Sequence, residues 1–231
     1  MLVEVCVDSV AAAVAAERAG ANRIELNSAL ELDGLTPSMG LIQRTRNQVS
    51  LPVICMVRCR SGGFAYSTDE WLTMLDEIQW LHKCGADGFA FGALDESGGI
   101  DVNKCQEFVE SVLENAPNSQ LVFHKAFDET CDWRTAMDQL VEIGFHRIMT
   151  SGQSATAESG ATVLREMIEY SKGRIELLPA GGIRSSNAKL ISERTGCDQL
   201  HGSFNCADQH CIDDWTEEIR ATIRVCAPNE A

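Results

Sequence analysis

Five short segments of this chain place acidic, basic or imidazole side chains inside runs that otherwise read as β-strands. They carry Glu4 and Cys6; Arg23, Glu25 and Asn27; Arg58; Phe123-His124-Lys125-Ala126-Phe127-Asp128; and Leu200-His201-Gly202-Ser203. Arg58 and Lys125 are cations suited to a carboxylate or phosphate. His124 is the residue type that exchanges a proton near neutral pH. Glu25 would orient that imidazole or act as a second acid–base group, and Asp128 completes the candidate catalytic set. Such a set suits proton transfer beside a carbonyl, the chemistry of an isomerase or lyase, on a small anionic metabolite.

Candidate ligand-binding residues flank that set. Gly181 and Gly182, in Pro179-Ala180-Gly181-Gly182-Ile183, and Gly202 with Ser203 follow two late β-runs. Backbone N–H groups there suit an anion, although tight turns that merely need Gly would look the same. Ser151, in Thr150-Ser151-Gly152, adds a hydroxyl, and Glu4, Lys125 and His201 complete the candidate ligand-binding set.

Soft-metal chemistry has thinner support. The ten cysteines contain no Cys-x-x-Cys pair. Cys55 and Cys59 share a strand face but lie about 13 Å apart on an extended chain. Cys206, His210 and Cys211 could fold round a soft ion, and Cys6 could serve with His201. Cys84, Cys105 and Cys226 read as small core residues.

Positioning these side chains requires a regular framework. The β-runs are Leu2–Val7, Arg23–Asn27, Val53–Arg58, Gly88–Gly92, Leu121–Lys125, Arg147–Thr150, Ile175–Pro179 and Gln199–His201. Helical patterns alternate with them at Ser9–Ala19, Ser38–Gln48, Thr68–Cys84, Val102–Asn115, Asp132–Ile143, Ala157–Ser171, Ser186–Thr195 and Ile212–Val225. Gly20, Gly85, Gly144 and Gly196 each stand just past a helix and just before a strand, where a left-handed residue turns the chain back. Strand–helix alternation without hairpin turns implies a parallel sheet. Eight units, no Gly-x-Gly-x-x-Gly after the first strand and 231 residues predict an α/β fold, a single (β/α)8 TIM barrel. The barrel is expected over 1–203, with a helical tail over 204–231.

In a closed barrel, alternate strand residues face the helices and the rest face the axis. Val3, Val5, Val7, Ile24 and Leu26 take the helix side, leaving Glu4, Cys6, Arg23, Glu25 and Asn27 inward. Two buried carboxylates on adjacent strands need partners. Glu4, Arg23, Glu25 and Arg58 could equally form an ion network that only sets register. The loop Arg60-Ser61-Gly62-Gly63-Phe64-Ala65-Tyr66-Ser67 reads as a lid or as an ordinary ordered loop.

The balance of 19 Lys and Arg against 34 Asp and Glu gives −15, which disfavours nucleic acid and anionic membrane surfaces. No apolar run approaches the ~20 residues of a membrane-spanning helix, and the start lacks a signal-peptide pattern, so a cytoplasmic location is expected.

The chain resembles the CutC family. The matching segments are Asn22-Arg23-Ile24-Glu25-Leu26, Gly34-Leu35-Thr36-Pro37-Ser38, Phe64 with Tyr66-Ser67, Phe91-Gly92-Ala93-Leu94, Phe123 to Asp128, Thr150-Ser151-Gly152 and Leu200 to Ser203. The resemblance implies a TIM barrel, a cytoplasmic homodimer and, by the family's name, copper homeostasis with copper as the bound ion. Asn27 stands where the family usually has Cys, Cys59 and Ala65 depart from the family's loop, and Lys125 replaces an Arg, losing a bidentate fork. Three functions follow: a copper-handling protein, a barrel enzyme acting on a small anion, and a non-catalytic binding protein.

Overall fold

Side-chain caps start most of the helices. Ser9, Ser38, Ser67, Asp101 and Asp132 each accept a hydrogen bond from a first-turn backbone N–H, and Ser67 with Glu70 forms a reciprocal capping box. Left-handed glycines end three helices, at Gly20, Gly144 and Gly196. The computed structural model describes residues 1–204 and 212–227. Its strands are β1 (Leu2–Val7), β2 (Arg23–Leu26), β3 (Val53–Met56), β4 (Gly88–Phe91), β5 (Gln120–Phe123), β6 (Arg147–Thr150), β7 (Glu176–Pro179) and β8 (Gln199–Gly202). The helices are α1 (Val10–Ala19), α2 (Met39–Arg46), α3 (Thr68–Lys83), α4 (Val102–Asn115), α5 (Trp133–Ile143), α6 (Ala161–Ser171), α7 (Ala188–Thr195) and α8 (Ile212–Val225).

All strand pairs are parallel, in the order β7-β6-β5-β4-β3-β2-β1-β8. A parallel bridge between Ala180 and His201 joins the two ends, so the expected (β/α)8 barrel is present. Outward strand residues such as Val3, Val5, Val7, Ile24, Leu26, Phe89, Phe91 and Phe123 pack under the helices in one apolar layer.

The barrel interior is divided by chemistry. Ile54, Met56, Ala90, Val122, Met149, Leu178 and Ala180 form an apolar cluster along β3 to β7. Across the axis, β1, β2 and β8 bury Glu4, Cys6, Arg23, Glu25, Gln199 and His201. The polar half is built on β1 and its two neighbours, β2 and β8, and Arg147 of β6 and Glu176 of β7 join it at the floor.

Several boundaries differ from the sequence reading. β3 ends at Met56 and β5 at Phe123, so Arg58 and His124 stand on the turns above their strands. α6 starts at Ala161, because residues 151–160 wrap around Asp128 and Gly181 rather than forming a helical turn. The helix expected over Ile212–Val225 is present as α8: it buries Thr216, Ile219 and Thr222, and Trp215 Nε1 donates to Ser203 O at 2.7 Å. Cys206, His210 and Cys211 lie outside the described residues. Among the described residues, no helix is long and apolar enough to cross a membrane.

Candidate functional site

Register decides which buried charges meet. Glu4 lies opposite Arg23 and Glu25 opposite Cys6, so the two carboxylates stand one pleat apart rather than level. In the lower layer the Arg23 Nε donates to Glu4, Arg23 Nη2 donates to Gln199 at 3.2 Å, and Gln199 Nε2 donates to Glu176 at 3.1 Å. Arg147 Nε donates to the same Glu176 at 2.9 Å. The floor is thereby one hydrogen-bonded chain, in which Arg147 Nη1 is buried without a partner.

His201 rises from the floor into a cavity of about 720 Å³ at the C-terminal mouth. Its Nδ1 lies 2.7 Å from a Glu4 oxygen, and its Nε2 lies 3.9 Å from Glu25 Oε2. A carboxylate on Nδ1 fixes the ring and aims Nε2 at the cavity. Burial alone would raise the Glu4 carboxyl, but the charge of Arg23 and the His201 hydrogen bond hold it down to about 2. Burial alone would lower His201, and the carboxylates of Glu25 and Glu4 reverse that, raising it.

Glu25 has the opposite bias. Burial raises its carboxyl above the ordinary value, and the nearby Glu4 charge adds to that. Its Oε2 accepts from Asn27 Nδ2 at 2.9 Å and from Cys6 Sγ at 3.5 Å, while its Oε1 is buried without a partner. Burial, reinforced by Glu25, pushes the Cys6 thiol well above its ordinary range. Cys6 Sγ, a Glu25 oxygen and a His201 nitrogen all lie within 4.8 Å of one another. One thiol, one imidazole and one carboxylate form a mixed donor set of the kind that copper or zinc accepts. Metal binding there would displace the Cys6 proton.

His124 differs from the expected proton carrier. Burial, with the positive charge of Arg58, lowers it to about 3, so it is neutral at physiological pH. Ala126 N donates to its Nδ1 at 3.2 Å, leaving Nε2 as the protonated nitrogen. That Nε2 is buried and has no partner. A neutral imidazole N–H of this kind donates to an oxygen and does not accept a proton. Gly92 leaves room for the ring, since a Cβ there would fall 2.6 Å from it.

Two other candidate catalytic residues are engaged by protein. Arg58 donates through Nη2 to Gly62 O at 2.8 Å and through Nη1 to Leu32 O, Asp33 O and Gly34 O at 3.3–3.4 Å. Its guanidinium also lies 5.0 Å from the Phe64 ring centre, and Phe64 contacts the His124 ring at 5.1 Å. Arg58 therefore fastens two loops over the cavity wall, rather than offering its whole fork to an anion. Asp128 accepts from Thr150 Oγ1 at 2.5 Å, from Ser151 N at 3.0 Å, from Ser151 Oγ at 2.8 Å and from Gln153 N at 3.0 Å. It organises the loop after β6, and the hydroxyls of Thr150 and Ser151 are consumed in doing so.

Lys125, Ser151, Gly181, Gly182, His201, Gly202 and Ser203 all line the cavity, as do Cys6, Glu25, Arg58, His124 and Asp128. Glu4 does not; it lies beneath His201. Asn27 was not among the candidates, yet it lines the cavity, donates to Cys6 Sγ at 3.2 Å and buries an unpartnered Oδ1. Its inward position on the β2 pattern was the available signal. The segment 60–67 is pinned: Arg60 donates to Gly63 O and Ala65 O, both at 2.8 Å, and pairs with Glu70.

A model of the CutC family matches residues 1–206. A family protein CutC from Treponema denticola is 45% identical over 199 residues, covering 86% of this chain and 79% of the relative. A human protein named copper homeostasis protein cutC homolog is 43% identical over 202 residues, covering 87% and 72%. The crystal structure of a CutC protein from Streptococcus agalactiae matches with a TM-score of 0.80 at 30% identity, covering 88% of this chain and 98% of that one.

Proposed function

This chain belongs to the CutC family, and from that premise we propose that it serves copper homeostasis by holding a copper ion at Cys6, Glu25 and His201. The convergence of those three donors in one buried cluster carries the reading. Glu4 supports it by holding the far nitrogen of His201, which leaves Nε2 directed at the cluster. Cys6 supplies the soft donor that favours Cu(I). The reading includes a cytoplasmic homodimer, which fractionation and size-exclusion chromatography test.

The deciding experiment is Cu(I) retention against a competing chelator, under anaerobic reducing conditions. One equivalent retained, and lost in Cys6→Ser and His201→Ala, is the expected result. Retention that survives both substitutions, or no retention by the native chain, overturns the reading.

A second reading is acid–base chemistry on a small oxygen-bearing metabolite. Glu25, with its raised carboxyl and unpartnered Oε1, and the unpartnered His124 Nε2 favour it. In that reading Glu25 and His201 exchange the proton and His124 polarises the ligand's oxygen. Turnover of a candidate carbonyl metabolite by metal-free protein, abolished in Glu25→Gln, is the expected result; turnover unchanged in that variant rejects it.

A further inference from the structure

The amides that follow β7 have carbonyls facing one way and N–H groups facing the other. Gly181 O accepts from Ala157 N at 2.9 Å, and Gly182 O accepts from Asn187 Nδ2 at 3.0 Å. Both carbonyls are thus turned toward the loop after β6 and the start of α7. There are no cis peptides among the described residues, so in each planar trans unit here the next N–H points opposite to the carbonyl. The N–H groups of Gly182 and Ile183 are directed away from those partners, and no acceptor in the described residues takes them. Gly181 and Gly182 have φ of +98° and +71°, the left-handed backbone that makes such a concave turn.

A cation stands over the same turn. Lys125 Nζ is 3.7 Å from where a Gly181 Cβ would be, and its one ion-pair partner among the described residues is Asp128 at 3.8 Å. Its neighbour His124 also lines the cavity, is 3% exposed, and carries the buried, unpartnered Nε2. Two free amides and an ammonium match the oxygens of a doubly charged head, and a neutral imidazole N–H matches an uncharged oxygen.

We propose that this wall is a binding site for a small phosphate monoester. The phosphate is held by the N–H groups of Gly182 and Ile183 with Lys125, and His124 Nε2–H donates to an oxygen of the organic part. The site requires neither copper nor turnover. It therefore stands apart from the copper reading and supplies the anionic end of a ligand for the second one.

The test is a titration of metal-free, full-length protein with inorganic phosphate, glycerol phosphate and acetate, followed by amide NMR. Saturable shifts at Gly182 and Ile183 are expected with both phosphates, and glycerol phosphate should bind more tightly than inorganic phosphate. Lys125→Met should weaken both by about tenfold or more, while Lys125→Arg retains most of the affinity. His124→Phe should remove the advantage of the ester and leave inorganic phosphate unchanged. Unchanged affinity in Lys125→Met, or no saturable shift at Gly182 and Ile183, overturns the proposal. Acetate binding as tightly as phosphate would replace the phosphate monoester with a carboxylate ligand. Cys6→Ser, which tests the copper site, should leave phosphate affinity unaltered.

Discussion

Replacing Glu4 by Gln removes the one anion that Arg23 and His201 share beneath the cavity. Glu4 is 1% exposed, so solvent cannot take its place. Removing one member of a buried charge pair costs about 3–5 kcal/mol. The drop of the Glu4 carboxyl from its ordinary 4.5 to about 2 corresponds to roughly 3 kcal/mol, which agrees in size. In a domain of this length that lowers the unfolding midpoint by roughly 6–12 °C. A pH series isolates the group. A carboxyl held below its unfolded value contributes fully above pH 4.5, and the contribution is lost as pH falls toward 2. Urea unfolding of the native protein and Glu4→Gln should therefore differ by about 3 kcal/mol near neutrality, with the gap narrowing steadily below pH 4.5. A gap under about 1 kcal/mol near neutrality, or one that widens in acid, refutes the reasoning.

His124 should remain neutral with its proton on Nε2 down to about pH 5, because burial and Arg58 keep it near 3; nitrogen NMR of the imidazole reads this directly, and a midpoint near 6.5 contradicts it. Since its folded value lies below the unfolded one, its contribution to stability declines as pH falls from 6.5 toward 3. Asp128→Asn should loosen the loop after β6 by about 1.5–3 kcal/mol, seen as faster amide exchange at Ser151 and Gln153 with β1 and β2 unaffected. Copper binding at Cys6 should release protons and strengthen as pH rises, which calorimetry in buffers of different ionisation enthalpy measures.

Much of the framework was legible in the residues because it depends on local rules. Period-two alternation put Val3, Val5 and Val7 outward and Glu4 and Cys6 inward, and Gly20, Gly85, Gly144 and Gly196 marked four of the returns to the sheet. The same alternation assigned Glu25 and Asn27 to the axis, and the strand ends assigned His124 and His201 to the mouth. Strand ends were less legible at β3, where apolar Val57 follows the last strand residue, and at β5, where the strand reading ran on through His124 to Lys125.

Partnership among those inward groups was decided only by closure of the barrel. Glu4 and His201 are 197 positions apart, and the β1–β8 register alone makes them bond. Arg58 and Asp128 have the right types for substrate chemistry, yet loop carbonyls and the β6 turn reach them first. His124 kept its place and changed its role, because burial beside a fixed cation removes the proton that its residue type suggests. Sequence thus determined which face each side chain takes, a matter of neighbouring dihedrals. The tertiary structure determined what each charge meets, since electrostatic energy in a buried site depends on distances that no local pattern contains.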